Sequence, residues 1–152
     1  MDFVGTAVSA VKVALQIKKY FDEIQEVDDR IQDIVLELDS LAEVLESISK
    51  CTIDTSESLF GLDRHRQVLV TTRLMEKCTN TLERLRRIVE RICQNTLNNP
   101  FLRRSKMKLE LDNRSDDINR CREQITGFRQ TLQLSLQAIT LYVSKARYLL
   151  IT

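Results

Sequence analysis

The sequence is short of the residues that break helices and of those that run most acid–base chemistry. Its 152 residues hold three Gly, one Pro, one His and no Trp. So little Gly and Pro is a poor fit to β-rich or loop-rich folds, and leaves few loops on which an active site could be presented. The lone His65 lies in Asp63-Arg64-His65-Arg66, where a solvated surface histidine is expected rather than a catalytic one. Gly5, Gly61 and Gly127 stand too far apart for a Walker-type or GxGxxG phosphate loop, and no HExxH or GxSxG string occurs. These absences argue against an enzyme and point to no cofactor.

The four cysteines, Cys51, Cys78, Cys93 and Cys121, are 27, 15 and 28 residues apart, with no CxxC pair and no clustered His. Neither a zinc site nor a disulfide framework fits that spacing, so free thiols in a reducing compartment are expected. A long hydrophobic run is missing as well. Phe3 to Ile17 is the nearest approach, but Lys12 interrupts it. As a helix it would reach about 22 Å, short of the roughly 30 Å bilayer core. Asp2 stands where a secretory signal has basic residues and where myristoylation needs Gly, so neither a signal peptide nor a lipid anchor is expected at this end.

What the sequence does have is apolar rhythm. Ile24, Val27, Ile31, Ile34, Leu38, Leu41, Leu45 and Ile48 recur at spacings of three and four, which predicts a packed helix from about Phe21 to Lys50. Val35 and Ala42 widen its stripe, as suits a helix among several neighbours. Cys51 to Asp63 collects Thr, Ser, Asp and Gly61 and reads as a connecting loop. Thr71, Met75, Cys78, Leu82, Leu85, Val89, Ile92 and Thr96 repeat the rhythm up to Asn98-Asn99-Pro100, which should stop the helix. A short basic linker or helical turn, Phe101 to Leu111, precedes a last helix capped by Asn113 or Ser115. Its stripe is Ile118, Cys121, Ile125, Phe128, Leu132, Ser135, Ile139, Tyr142, Ala146 and Leu149. Gly127 inside that helix predicts close packing of a neighbour there, or a slight bend.

The fold expected is therefore all-α, an antiparallel bundle of four to five helices with an apolar N-terminal helix, filling residues 1–152 as one domain. The apolar helical pattern still running at Tyr148 to Thr152 suggests the N-terminal domain of a longer protein.

Charge is nearly balanced overall, 23 Lys+Arg against 22 Asp+Glu, but unevenly placed. Residues 22–46 carry ten acids against Arg30 alone, a net of −9; residues 64–108 carry twelve bases against Glu76, Glu83 and Glu90, a net of +9. One reading makes the two segments neighbouring helices whose outer charges complement each other, with Glu83 and Arg87 an i,i+4 pair. The other gives Lys77, Arg84, Arg87 and Arg91, with Arg103, Arg104, Lys106 and Lys108 of the linker, to anionic lipid or a partner. Nucleic acid fits less well, since no aromatics interleave with the basic cluster.

The first helix also supports two readings. Small residues at Thr6, Ala10 and Ala14, and at Gly5 and Ser9, allow close helix approach, as in a central helix buried on all sides. The same apolar helix could instead leave the bundle and enter a bilayer when copies assemble, with Lys12 facing a pore or another subunit.

The opening MDFVGTAVSAVKVALQIKKYFDEI, the segment IVLELDSLAEVLESI and the late REQITGFRQTLQLSLQAI together resemble the fungal HeLo-like domain family, over about residues 1 to 141. That family supplies N-terminal domains to fungal NLR-like (STAND) proteins and is similar to the helical bundle of necroptosis pseudokinases. The resemblance implies a domain for programmed cell death in heterokaryon incompatibility and immunity. It would act by oligomerisation and by membrane association or permeabilisation. The membrane-inserting role would fall on Phe3, Val4, Ala7, Val8, Val11, Ala14 and Leu15. Its partners would be copies of itself, anionic membrane lipids and downstream receptor domains of the same chain, in a cytoplasmic protein that relocates to the membrane on activation. The alternative is a non-lytic helical docking module of a signalling receptor.

Overall fold

The computed structural model describes residues 2–24, 30–51, 57–94 and 100–151. Among them the secondary structure is helical throughout: α1 Phe3–Ile24, α2 Ile31–Ser49, α3 Glu57–Gln94, α4 Pro100–Asn113 and α5 Ser115–Ile151. The all-α expectation holds, with several boundaries moved.

α1 starts where Asp2 supplies a cap. The Gly5 N–H donates to Asp2 Oδ1 at 2.6 Å, and the Thr6 N–H donates to the Asp2 carbonyl at 3.0 Å. The carboxylate satisfies the otherwise orphaned Gly5 N–H and complements the positive end of the helix. The helix then runs to Ile24, so Phe21 and Ile24 belong to α1 rather than to the second helix. Val27 lies outside the described residues. α3 begins at Glu57, which makes residues 57–63 helical where a loop was expected. Thr96 lies outside the described residues. The basic stretch after Pro100 forms a full helix of 14 residues, opened by a proline at a position where a missing N–H costs nothing. Only Arg114 separates α4 from α5, and the Ile118 N–H donates to its carbonyl at 3.0 Å, so the chain turns with little loss of helical bonding.

Four helices enclose the core. α1 packs on α2 and on α3, and α5 packs on the same two, so α1 and α5 sit across one diagonal and α2 and α3 across the other. α4 rests on α3 and α5. Cys93, near the end of α3, places its Sγ 3.8 Å from the carbonyl oxygen of Tyr20, near the end of α1; these two helices therefore run the same way. Arg30, before α2, pairs with Asp112, at the end of α4, so α5 starts beside the start of α2 and descends with it.

The largest fully buried side chains are Ile17, Phe21, Ile34, Leu38, Leu41, Leu45, Ile48, Met75, Leu82, Leu85 and Ile92, with Ile24 beside them. Burying each stabilises by about 1.5–3 kcal/mol. α5 adds Cys121, Ile125, Leu132 and Ile139, with Ser135 buried among them. Its stripe then leaves the core: Tyr142 is half-buried and Leu149 is exposed. Gly127 does not fit the close-packing expectation. It lies on an exposed face, and a Cβ built there meets nothing within 4 Å.

Candidate functional site

The described residues include no cluster of three or more His, Cys, Asp and Glu side chains able to hold a metal ion. All four cysteines are free. Burial pushes the Cys78 thiol up to about 12 and the Cys93 thiol up to about 11, which keeps both neutral and unreactive. His65 is exposed, on the outer side of α3. Two helix faces carry residues nominated from the sequence for binding.

The first is the outer edge of α1. Its seven nominated residues divide. Phe3, Ala7 and Ala14 are buried in the core and Val11 is half-buried against it, whereas Val4, Val8 and Leu15 are 41%, 40% and 46% exposed. Thr6 and Ala10 are buried with the first group, while Ser9 is exposed. So α1 is not enclosed on all sides: it buries one face against α2 and α3 and shows the other to solvent. On that outer face Val4, Val8, Lys12, Leu15 and Lys19 follow spacings of four, four, three and four, which places them in one strip. Lys18 is turned away from the strip, its Nζ 2.7 Å from Asp39 of α2, and that hydrogen bond raises its pKa. No helix among the described residues is long and apolar enough to cross a membrane.

The second is the outer face of α3. Lys77, Arg84, Arg87 and Arg91 are all exposed on it. Arg66 and Arg73, not singled out in the sequence, extend the same face toward the start of the helix. At 100° per residue the six fall within about 80° of arc and about 38 Å of length, on the side of the helix away from the buried seam. The spacings 7, 4, 7, 3 and 4 between residues 66 and 91 carried that signal, hidden among the other bases of the segment. Arg86 lies off the stripe. It bonds Glu83 at 2.8 Å and Glu90 at 3.1 Å, so Glu83 pairs three residues on rather than with Arg87. The bases of α4 do not form a second stripe. Arg103 lies 3.8 Å from Glu23 of α1, Lys106 is half-buried, and Arg104 and Lys108 are exposed on another side.

The reading in which α2 and α3 neutralise each other is overturned, because they stand on opposite corners of the bundle. The acids of α2 turn to other helices: Asp39 to Lys18 of α1, and Glu37 to Arg129 of α5 at 2.7 Å. Asp33, Glu43 and Glu46 remain exposed on α2, as does Leu36. The bundle is thus basic at its α3 corner and acidic at its α2 corner.

Fold and faces together define a small helical bundle, basic at one corner and acidic at the opposite one. The chain belongs to the family described as the N-terminal domain of the pigment biosynthesis cluster protein PigL, which matches residues 2–151. That family is a fungal, helical one related to the HeLo-like domains. No curated protein and no solved structure matches the chain.

Proposed function

We propose that the chain is a non-catalytic signalling domain of the cell-death and immune type, acting by association with its own copies and with anionic membrane surfaces. The observation that carries this is the outer strip of α1, where Val4, Val8 and Leu15 alternate with Lys12 and Lys19. An apolar strip flanked by lysines suits an interface in which side chains enter the headgroup region and ammonium groups meet lipid phosphates. Only this strip is available while the bundle stays closed, so the resting contact is peripheral. Full insertion would also need Phe3, Ala7, Val11 and Ala14 and would open the core around them. Relocation from cytoplasm to membrane is the corresponding cellular step.

A second reading, a non-lytic docking module, draws on the same burial. With Phe3, Ala7 and Ala14 locked in the core and Val11 half-buried against it, α1 would keep the bundle closed and the strip would take a protein partner.

Dye-loaded vesicles with and without phosphatidylserine distinguish the two. Binding that needs anionic lipid, with leakage that appears as protein concentration rises, supports the membrane reading. Folded protein that neither binds nor leaks vesicles moves the assignment to the docking module.

A further inference from the structure

The opposed charges of α2 and α3 bear on how copies would associate. A basic face meets its best occupant in an acidic surface of matching length, and this molecule carries one on its far corner. Asp33, Glu43 and Glu46 lie exposed along the outer side of α2 with Leu36, which is 64% exposed, on a helix that has five acids and no base. On α3, Val70 is exposed between Arg66, Arg73 and Lys77. Each face therefore offers an apolar centre among charges of one sign, opposite in sign to the other face. Apolar contact supplies affinity in such a pairing, while the charges steer encounter and set register.

We propose that copies of this chain associate head to tail, the α3 face of one against the α2 face of the next. The contact is heterologous, so every interior copy uses both faces, and the assembly either closes into a ring or grows as a filament that leaves one face of each sign free at its two ends. Because α2 and α3 lie on one diagonal and α1 and α5 on the other, the row runs along the first diagonal and turns every α1 toward one side. The strip of Val4, Val8 and Leu15 is then repeated from copy to copy. A weak single contact with a membrane becomes a strong multivalent one. This inference rests on the self-association in the reading above and names the surfaces that carry it.

The test uses the full 152-residue chain and sedimentation velocity, at about 0.05 M and about 0.5 M salt. One variant carries Lys77→Glu with Arg87→Glu, and a second carries Asp33→Lys with Glu43→Lys. All four positions are exposed, and circular dichroism checks the helix content of each protein. A neutral pair, Lys77→Gln with Arg87→Gln, replaces the first variant should reversal unfold it.

The expected result is that the native chain associates at low salt and separates at high salt, while each variant alone associates at least about tenfold more weakly. Mixed in equal amounts, the two variants associate again, because one new contact is native and the other has both signs exchanged. The proposal fails if the native chain stays monomeric at low salt, if single-face variants associate as well as the native chain, or if the mixture does not recover. It also fails if the α3 variant loses only phosphatidylserine vesicle binding, which would make that face a lipid site. A Val8→Asp chain separates the two readings: loss of vesicle binding with assembly intact leaves head-to-tail association standing independently of membrane contact.

Discussion

Arg129 on α5 grips Glu37 on α2 with two hydrogen bonds, Nε to Oε2 at 2.7 Å and Nη2 to Oε1 at 3.4 Å. The residues are 92 apart in sequence, and both side chains are about three-quarters covered. A forked pair of this kind is stronger than a single surface ion pair, and it ties together α2 and α5, two neighbouring helices of the bundle. Arg129→Ala should cost about 1–2 kcal/mol of unfolding free energy. In a double-mutant cycle with Glu37→Ala, urea denaturation should give a coupling of roughly 1 kcal/mol. A coupling near zero would show that the fork contributes no net stability.

Gly127 gives a prediction of opposite sign. It lies mid-helix in α5, with open space where a Cβ would stand. Gly127→Ala should therefore stabilise by about 1 kcal/mol through helix propensity alone. For a domain of this size the melting temperature should rise by roughly 2–4 °C. A fall would mean that a partner approaches the backbone there, since the isolated bundle has room.

The cysteines set an alkaline limit. The Cys78 thiol, with an ordinary value of 9.0, is held neutral up to about 12 by burial. In the unfolded chain it ionises above the ordinary value, so there the unfolded state binds fewer protons than the folded one. Stability is intact below pH 9 and falls as pH rises toward 12, by at most roughly 1.4 kcal/mol per pH unit for this group. Cys78→Ala should cost stability at pH 7 and show a shallower decline in alkali, measured by urea titration at several pH values. In the native protein a thiol reagent should modify half-exposed Cys51 first and reach Cys78 and Cys93 only on opening of the bundle.

Much of this fold was legible because a helix writes its buried face into the chain at spacings of three and four. Ile34, Leu38, Leu41, Leu45 and Ile48 on α2, and Met75, Cys78, Leu82, Leu85 and Ile92 on α3, all reach the core as their spacing predicts. The break between α1 and α2 was not legible, because Ile24 and Ile31 are seven residues apart, as they would be within one continuous helix. α4 was hidden for a related reason: among its described side chains only Met107 and Leu111 are buried, too few to show a period against its bases. The basic residues of α3 could be found in the chain, but their partners could not. Which helix stands beside α2 is decided by the packing of the whole bundle, and that packing sends Asp39 to α1 and Glu37 to α5.

The two halves of α1 should separate in experiment. Val8 is 40% exposed on the outer strip, so Val8→Asp puts its carboxylate in water and disturbs little packing; its stability should stay within about 0.5 kcal/mol of the native value. Ala14 is 1% exposed, so Ala14→Asp puts an unpaired carboxylate among α1, α2 and α3 and should cost several kcal/mol. Val11 is half-buried against the core, and Val11→Asp should fall between them. Vesicle binding scored beside thermal unfolding then assigns the helix. If the strip is the membrane contact, Val8→Asp abolishes binding in a protein that melts like the native one, whereas Ala14→Asp loses both together. If Val8→Asp binds phosphatidylserine vesicles as tightly as the native chain, the strip is not the contact and α1 serves the bundle as structure.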